Sequence, residues 1–168
     1  MIRTLSLLPV LTLLACGPAD TPAAAAADPA QTSAPAPGTQ PQPIVSGDVS
    51  YRLLAATDFR EVEGCTVYLR PENAPEGTYA YGFNYAEGPA EGVFDGNRQI
   101  LEIVSEDNDS DDRPATYVHA NDSYEVTTTV TLENQVDNEL WEVSGTVVIR
   151  NKRNGKTVRM KVLGEQGC

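Results

Sequence analysis

Between residues 123 and 133 the side chains alternate with a period of two. Tyr124, Val126, Thr128, Val130 and Leu132 fall on one side; Glu125, three threonines and Glu133 fall on the other. That period belongs to a β-strand with one dry and one wet face, and no helix can bury it. The pattern recurs. Residues 140–150 put Trp141, Val143, Gly145, Val147 and Ile149 on one face, and residues 156–163 alternate Val158, Met160 and Val162 with Arg159 and Lys161. Asn154-Gly155 separates these last two runs, and Asp95-Gly96 separates residues 91–94 from 98–105. Such dipeptides accept the left-handed backbone of a tight hairpin turn. Residues 51–56, 65–70 and 78–85 read as further strands, and no stretch carries a 3.6-residue period. Short strands at close spacing predict an all-β domain, a small antiparallel barrel or sandwich of about eight strands. It is expected to run over residues 44–168, long enough for one real core.

The chain before it has a different character. Arg3 is followed by ten mostly apolar residues, 5–14. As a helix they would rise about 15 Å, half a bilayer, which is too short to span and suits the apolar region of a secretory signal. From residue 17 to 43 the composition collapses to Ala, Pro, Thr, Gln and Ser, with seven prolines and no aromatic residue. Such a stretch buries no core and reads as a disordered linker, with a root-mean-square reach of about 30 Å.

The junction between the two segments, Leu13-Leu14-Ala15-Cys16, resembles the lipobox of bacterial lipoproteins. Leu13, Ala15 and Cys16 match its pattern, and Leu14 stands where a smaller residue is usual. The resemblance implies a signal peptide over residues 1–15, cleavage before Cys16, a diacylglyceryl thioether on Cys16 and acylation of the new terminus. Several acyl chains together anchor a protein stably. Gly17, with no aspartate after the cysteine, implies by that family's sorting rule an outer-membrane anchor, and the domain is expected to face the periplasm. The remaining cysteines, Cys65 and Cys168, would then share an oxidising compartment, where two cysteines most simply form one disulfide. Two free thiols or a metal pair have no supporting histidine or third cysteine nearby. The ending "GEQGC" is also similar to that of uncharacterised small all-β envelope lipoproteins that finish on Gly-Cys.

Chemistry-bearing motifs are sparse. His119 is the only histidine, with Asp122 and Ser123 beside it. Neighbours in a turn do not make a catalytic triad, and no nucleophile elbow is present, so His119 reads as a surface residue at a strand end. There is no phosphate-binding glycine loop, no CxxC and no HExxH. Carboxylates are so abundant, 24 in 168 residues, that no pair stands out as catalytic. No enzyme is expected on these grounds. The run "EDNDSDD" places Asp107, Asp109 and Asp111 at positions 1, 3 and 5 of a calcium loop. Asp112 and Val118 then occupy positions that need Gly and Glu. Calcium is the single cofactor this spacing suggests, and the plainer reading is a solvated loop.

Two surfaces are candidates for binding. Tyr79, Tyr81, Phe83 and Tyr85 alternate along one strand. Exposed, they would make a glycan or peptide platform; buried, they would be core. Net charge is −12, yet six of the twelve basic residues (Arg150, Lys152, Arg153, Lys156, Arg159 and Lys161) fall within the last hairpin. That patch could meet anionic lipid or glycan phosphate, or it could guard a sheet edge. The acidic remainder repels nucleic acid and steers cationic proteins.

In size, address and architecture the chain is similar to small β-barrel lipoproteins that inhibit lysozyme and carry one disulfide. It lacks the Ser-Gly and Tyr…Trp-Lys-Gly segments of that family. The expectation is a lipid-anchored, non-enzymatic envelope protein whose β-domain binds a cationic protein partner or peptidoglycan. The alternative is a structural or assembly role in the envelope, and behind it a hydrolase or calcium-binding module.

Overall fold

In a computed structural model of the chain, the described residues are 44–46, 49–86, 88–108 and 114–168. The strands are β1 (Ile44–Ser46), β2 (Val49–Arg52), β3 (Leu54–Ala55), β4 (Thr66–Pro71), β5 (Thr78–Tyr79), β6 (Tyr81–Asn84), β7 (Ala90–Phe94), β8 (Asn97–Asp107), β9 (Ala115–Ala120), β10 (Tyr124–Asp137), β11 (Leu140–Asn151) and β12 (Thr157–Gly167). Eight of them close an antiparallel barrel in the order β7-β6-β4-β12-β11-β10-β9-β8, with β8 returning to β7. The choice left open between barrel and sandwich is thereby decided. An extra strand, β2, continues beside β7 where β6 stops, pairing Tyr51 with Phe94.

Alternation places the core inside the ring. Val67 and Leu69 of β4, Val126 and Val130 of β10, Val147 and Ile149 of β11 and Val162 of β12 are all buried there. An aromatic column fills the centre: Tyr124 packs on Phe94, Phe94 on Tyr81, and Tyr81 and Phe83 on His119, with Tyr117 against Phe83. His119 therefore corrects the surface reading. It lies within β9, opposite Val126, and is fully buried. "HANDS" looked like a turn because the turn does follow, at residues 121–123; the strand simply runs into it.

A second, smaller cluster lies on the outside. Residues 53–62, including a single 3-10 turn at Ala56–Asp58, cover the outer face of β7 and bury Leu54, Phe59, Val62, Tyr79 and Val93. The buried carboxylate of Glu91 pins this cover. Its Oε2 accepts the backbone N–H groups of Arg60 and Glu61 at 2.7 and 3.1 Å, and its Oε1 pairs with the Arg98 guanidinium. Because both faces of β7 are dry, it shows no alternation in its burial.

The two ends of the barrel differ. At one end the β7–β8 turn has Asp95 and Gly96 at φ 47° and 80°, as a tight hairpin requires. There Asp95 accepts bonds from the Ser50 N–H (3.0 Å), the Tyr124 hydroxyl (2.9 Å) and the Asn151 amide (3.3 Å), tying β2 and three hairpins into a polar cap. Burial works against the Asp95 charge, but these donors outweigh it and hold the carboxyl below its usual range. Tyr124 is pushed up to about 12, by burial first and then by Asp95. The β11–β12 turn joins the same end. Its Gly155 alone takes positive φ, so the loop is longer than the two-residue turn that Asn154-Gly155 suggests.

Candidate functional site

The other end of the barrel gathers Glu133, Asp137, Glu139, Glu142 and Glu165. Here β10 outruns its neighbour. Pairing with β9 stops at Val130 opposite Ala115, while β10 and β11 continue as a ribbon to Asp137 and Leu140. Among the described residues no strand pairs with the outer edge of β10 beyond Val130. Residues 131–139 are all exposed, so Leu132, expected inside, lies 45% exposed, and Val136 is 59% exposed. The Cys65–Cys168 disulfide, with a separation of 103 residues, ties the C-terminus to the entry of β4 at this end. The Tyr85 hydroxyl lies 3.0 Å from the Cys168 sulfur.

Across the outer surface one row of cross-strand neighbours defines the site. Glu142 on β11 stands directly opposite Glu165 on β12, and Glu165 directly opposite Tyr68 on β4. On the β10 side Asn134 donates to Glu142 at 3.0 Å, and Ser144 donates to Glu133. Like charges directly opposite on a sheet destabilise it. The row is flanked by two hollows that share Glu165. One, of about 570 Å³, is lined by Tyr68, Asp137, Glu139 and Leu140; the other, of about 610 Å³, by Arg70, Glu76, Glu133 and Glu142.

Tyr68 forms part of the first hollow's wall, with the buried rings of Phe59 and Tyr79 behind it. Tyr68 stacks at a tilt on Phe59 and Tyr79, with ring centroids 5.2 and 5.3 Å apart. Gly82, opposite Tyr68 on β6, makes this arrangement possible: a Cβ there would sit 2.8 Å from the Tyr68 ring. The Tyr79 hydroxyl is pushed above its ordinary pKa, by burial first and then by Glu165, with Arg70 pulling the other way. An aromatic face rimmed by carboxylates is suited to lysine and arginine side chains, by ion pairing and by cation–π contact.

The aromatic run of residues 78–85 does not form one ladder. Ala80 and Tyr81 both meet Leu69, Ala80 donating its N–H to the Leu69 carbonyl at 2.8 Å and Tyr81 pairing across from it. This bulge flips the alternation. Tyr79 therefore joins the outer cluster, Tyr81 and Phe83 the barrel core, and Tyr85 sits half-buried at the rim. Of the two readings left open, core holds for Tyr81 and Phe83, while Tyr79 meets the acidic surface through Tyr68 and Tyr85 meets it at Cys168. The basic residues of the last hairpin lie elsewhere. Arg159 and Lys161 are exposed on the outer face of β12, Arg150 is exposed 3.7 Å from Glu125, and Lys152, Arg153 and Lys156 stand on the turn at the capped end. Lys152 donates to the Asn121 carbonyl at 2.8 Å. Asp107 ends β8, exposed, whereas Asp109, Asp111 and the lipobox with Cys16 lie outside the described residues. Among the described residues no three His, Cys, Asp or Glu side chains are grouped as metal ligands.

Tyr68, Glu142 and Glu165 had no motif to announce them. Their outward positions follow from the alternation, but their juxtaposition depends on strand order. Comparison with known protein families, with curated proteins and with solved structures finds no match to this chain.

Proposed function

We propose that this chain is a lipid-anchored protein of the cell envelope, carried on Cys16 at the outer membrane and facing the periplasm. It acts as a non-enzymatic binding module that offers the acidic ribbon end of its barrel to a cationic protein. The observation that carries this reading is the Glu142–Glu165 pair. Two carboxylates directly opposite cost the sheet stability unless something positive sits over them. Beside them lie the Tyr68 ring and further acids and, among the described residues, an open strand edge, with Arg70 the one basic residue lining either hollow. Small basic proteins such as lysozymes have the matching charge, and electrostatic steering would speed their capture.

The test is retention of a basic lysozyme, and of proteins from envelope extract, on the immobilised full chain at two salt concentrations. The expected result is retention at low salt that weakens at high salt and falls at least tenfold in the Glu142→Gln/Glu165→Gln variant. Equal retention by wild type and variant would remove the acidic row from the proposal. Capture of peptidoglycan fragments instead of protein would favour the structural envelope role. The anchor is tested separately: Cys16→Ser should move the chain from the membrane to the soluble fraction.

A further inference from the structure

A third hollow, of about 480 Å³, lies near the capped end, on the outer face where β2 and β8 meet the covering segment. Arg52 of β2, Arg60 of the cover and Arg98 of β8 line it together, with Asp58 and Thr78 at its rim. In a chain with twice as many acids as bases, three arginines lining one hollow call for a reason. Among the described residues only Arg98 of the three makes an ion pair, and the Nε of Arg52 is buried without a hydrogen-bond partner. A buried N–H of a charged group left without an acceptor is costly, and an oxyanion would satisfy it.

The site is also organised in advance. Glu91 holds two of its walls at once, gripping the Arg98 guanidinium with one oxygen and the Arg60 backbone with the other. Arg98 further donates to the Asp58 carbonyl at 2.9 Å. The Asp58 carboxylate is turned toward the Ala55 N–H, 3.2 Å away. Glu91 thus neutralises Arg98 and fixes it in place; among the described lining residues Asp58 alone stands against Arg52 and Arg60, so the hollow keeps a net positive charge.

We infer that the Arg52–Arg60–Arg98 hollow is a binding site for a phosphate-type oxyanion, independent of the acidic end and of the basic hairpin. Guanidinium forks match phosphate oxygens in pairs, which ammonium groups do not. The phosphate could belong to a lipid headgroup or to a soluble phosphomonoester.

The probe is inorganic phosphate, titrated into the full chain by calorimetry, with glycerol phosphate and phosphatidylglycerol vesicles as parallel arms. The expected result is saturable phosphate binding that weakens about tenfold in Arg52→Gln and again in Arg60→Gln, since each removes one charge-assisted contact. Lys152→Gln/Lys156→Gln should bind as wild type does. Arg60 is exposed and makes no side-chain bond among the described residues, so its variant leaves the fold intact even if Arg52→Gln does not. Vesicle binding through the same arginines would assign a lipid headgroup; glycerol phosphate binding alone would assign a soluble ligand; either supports the site. Binding that survives both arginine substitutions, binding lost equally in the lysine variant, or no binding in any arm would overturn it.

Discussion

Acid should unfold this barrel through one residue. His119 is fully buried against Tyr81 and Phe83, and among the described residues neither of its ring nitrogens has a hydrogen-bond partner. The tyrosines lining the column with it, Tyr81, Tyr117 and Tyr124, are themselves pushed to higher pKa by burial, so all stay neutral. No carboxylate faces the ring among the described residues, and burial lowers the imidazole from 6.5 to about 4. The unfolded chain takes up a proton near pH 6.5; the folded chain does so only near 4. Stability is therefore complete above the unfolded value and is lost as pH falls toward the folded one. At about 1.4 kcal/mol per pH unit the full loss is about 3 kcal/mol, of which about 2.5 has gone by pH 4.5. That is a large part of the stability of a domain this size.

Urea unfolding at pH 7.5, 5.5 and 4.5, compared between wild type and His119→Leu, isolates this effect, because the surface carboxylates titrate alike in both. The gap between the two proteins should widen by about 1.4 kcal/mol at pH 5.5 and about 2.5 at pH 4.5. At pH 7.5 the variant should match or exceed the wild type by about 1 kcal/mol, since leucine has no unpaired polar atom to bury. A gap that stays constant across the three pH values would refute the reasoning and place the acid sensitivity elsewhere.

Asp95 acts in a lower window. Its folded pKa is depressed, so its contribution is present above its ordinary value of 3.8 and fades only below that. Asp95→Asn should leave melting unchanged in shape from pH 7 to 5 and flatten the pH dependence below 4. Reduction of Cys65–Cys168, or Cys168→Ser, opens a 103-residue loop and should cost about 4–5 kcal/mol in chemical unfolding, less if the unfolded chain stays compact. Glu142→Gln should raise the melting temperature slightly, by relief worth about 0.2–1 kcal/mol, while weakening capture of basic proteins; a fall in stability would contradict the repulsion. Gly82→Val should displace the Tyr68 ring and cost about 1–3 kcal/mol, read from the same unfolding curves and from loss of basic-protein binding.

The strand character was determined locally. Alternation along residues 124–130, 143–149 and 158–162 follows from which side chains avoid water, and the structure buries the expected face at each. The Asp95-Gly96 turn was equally readable, because left-handed φ is a property of the residues that occupy it. The disulfide was readable once an oxidising compartment was assumed, since only two cysteines remained to pair. Closure was different. That β12 comes back to lie beside β4 depends on contacts between residues far apart in the chain, to which no local period is sensitive. Three misreadings share that cause. His119 looked exposed because its strand is short and ends in a polar turn, yet the closed ring has only an interior to offer that face. Leu132 looked buried because its strand keeps the period, yet the barrel ends before the strand does. The run from Tyr79 to Tyr85 looked like one face because a bulge at Ala80 leaves no mark in the alternation. Both candidate sites belong to the same class. Glu142 meets Glu165, and Arg52 meets Arg60 and Arg98, only because the tertiary fold brings separate segments to one surface, so alternation alone could say which way each side chain pointed but not what it would meet.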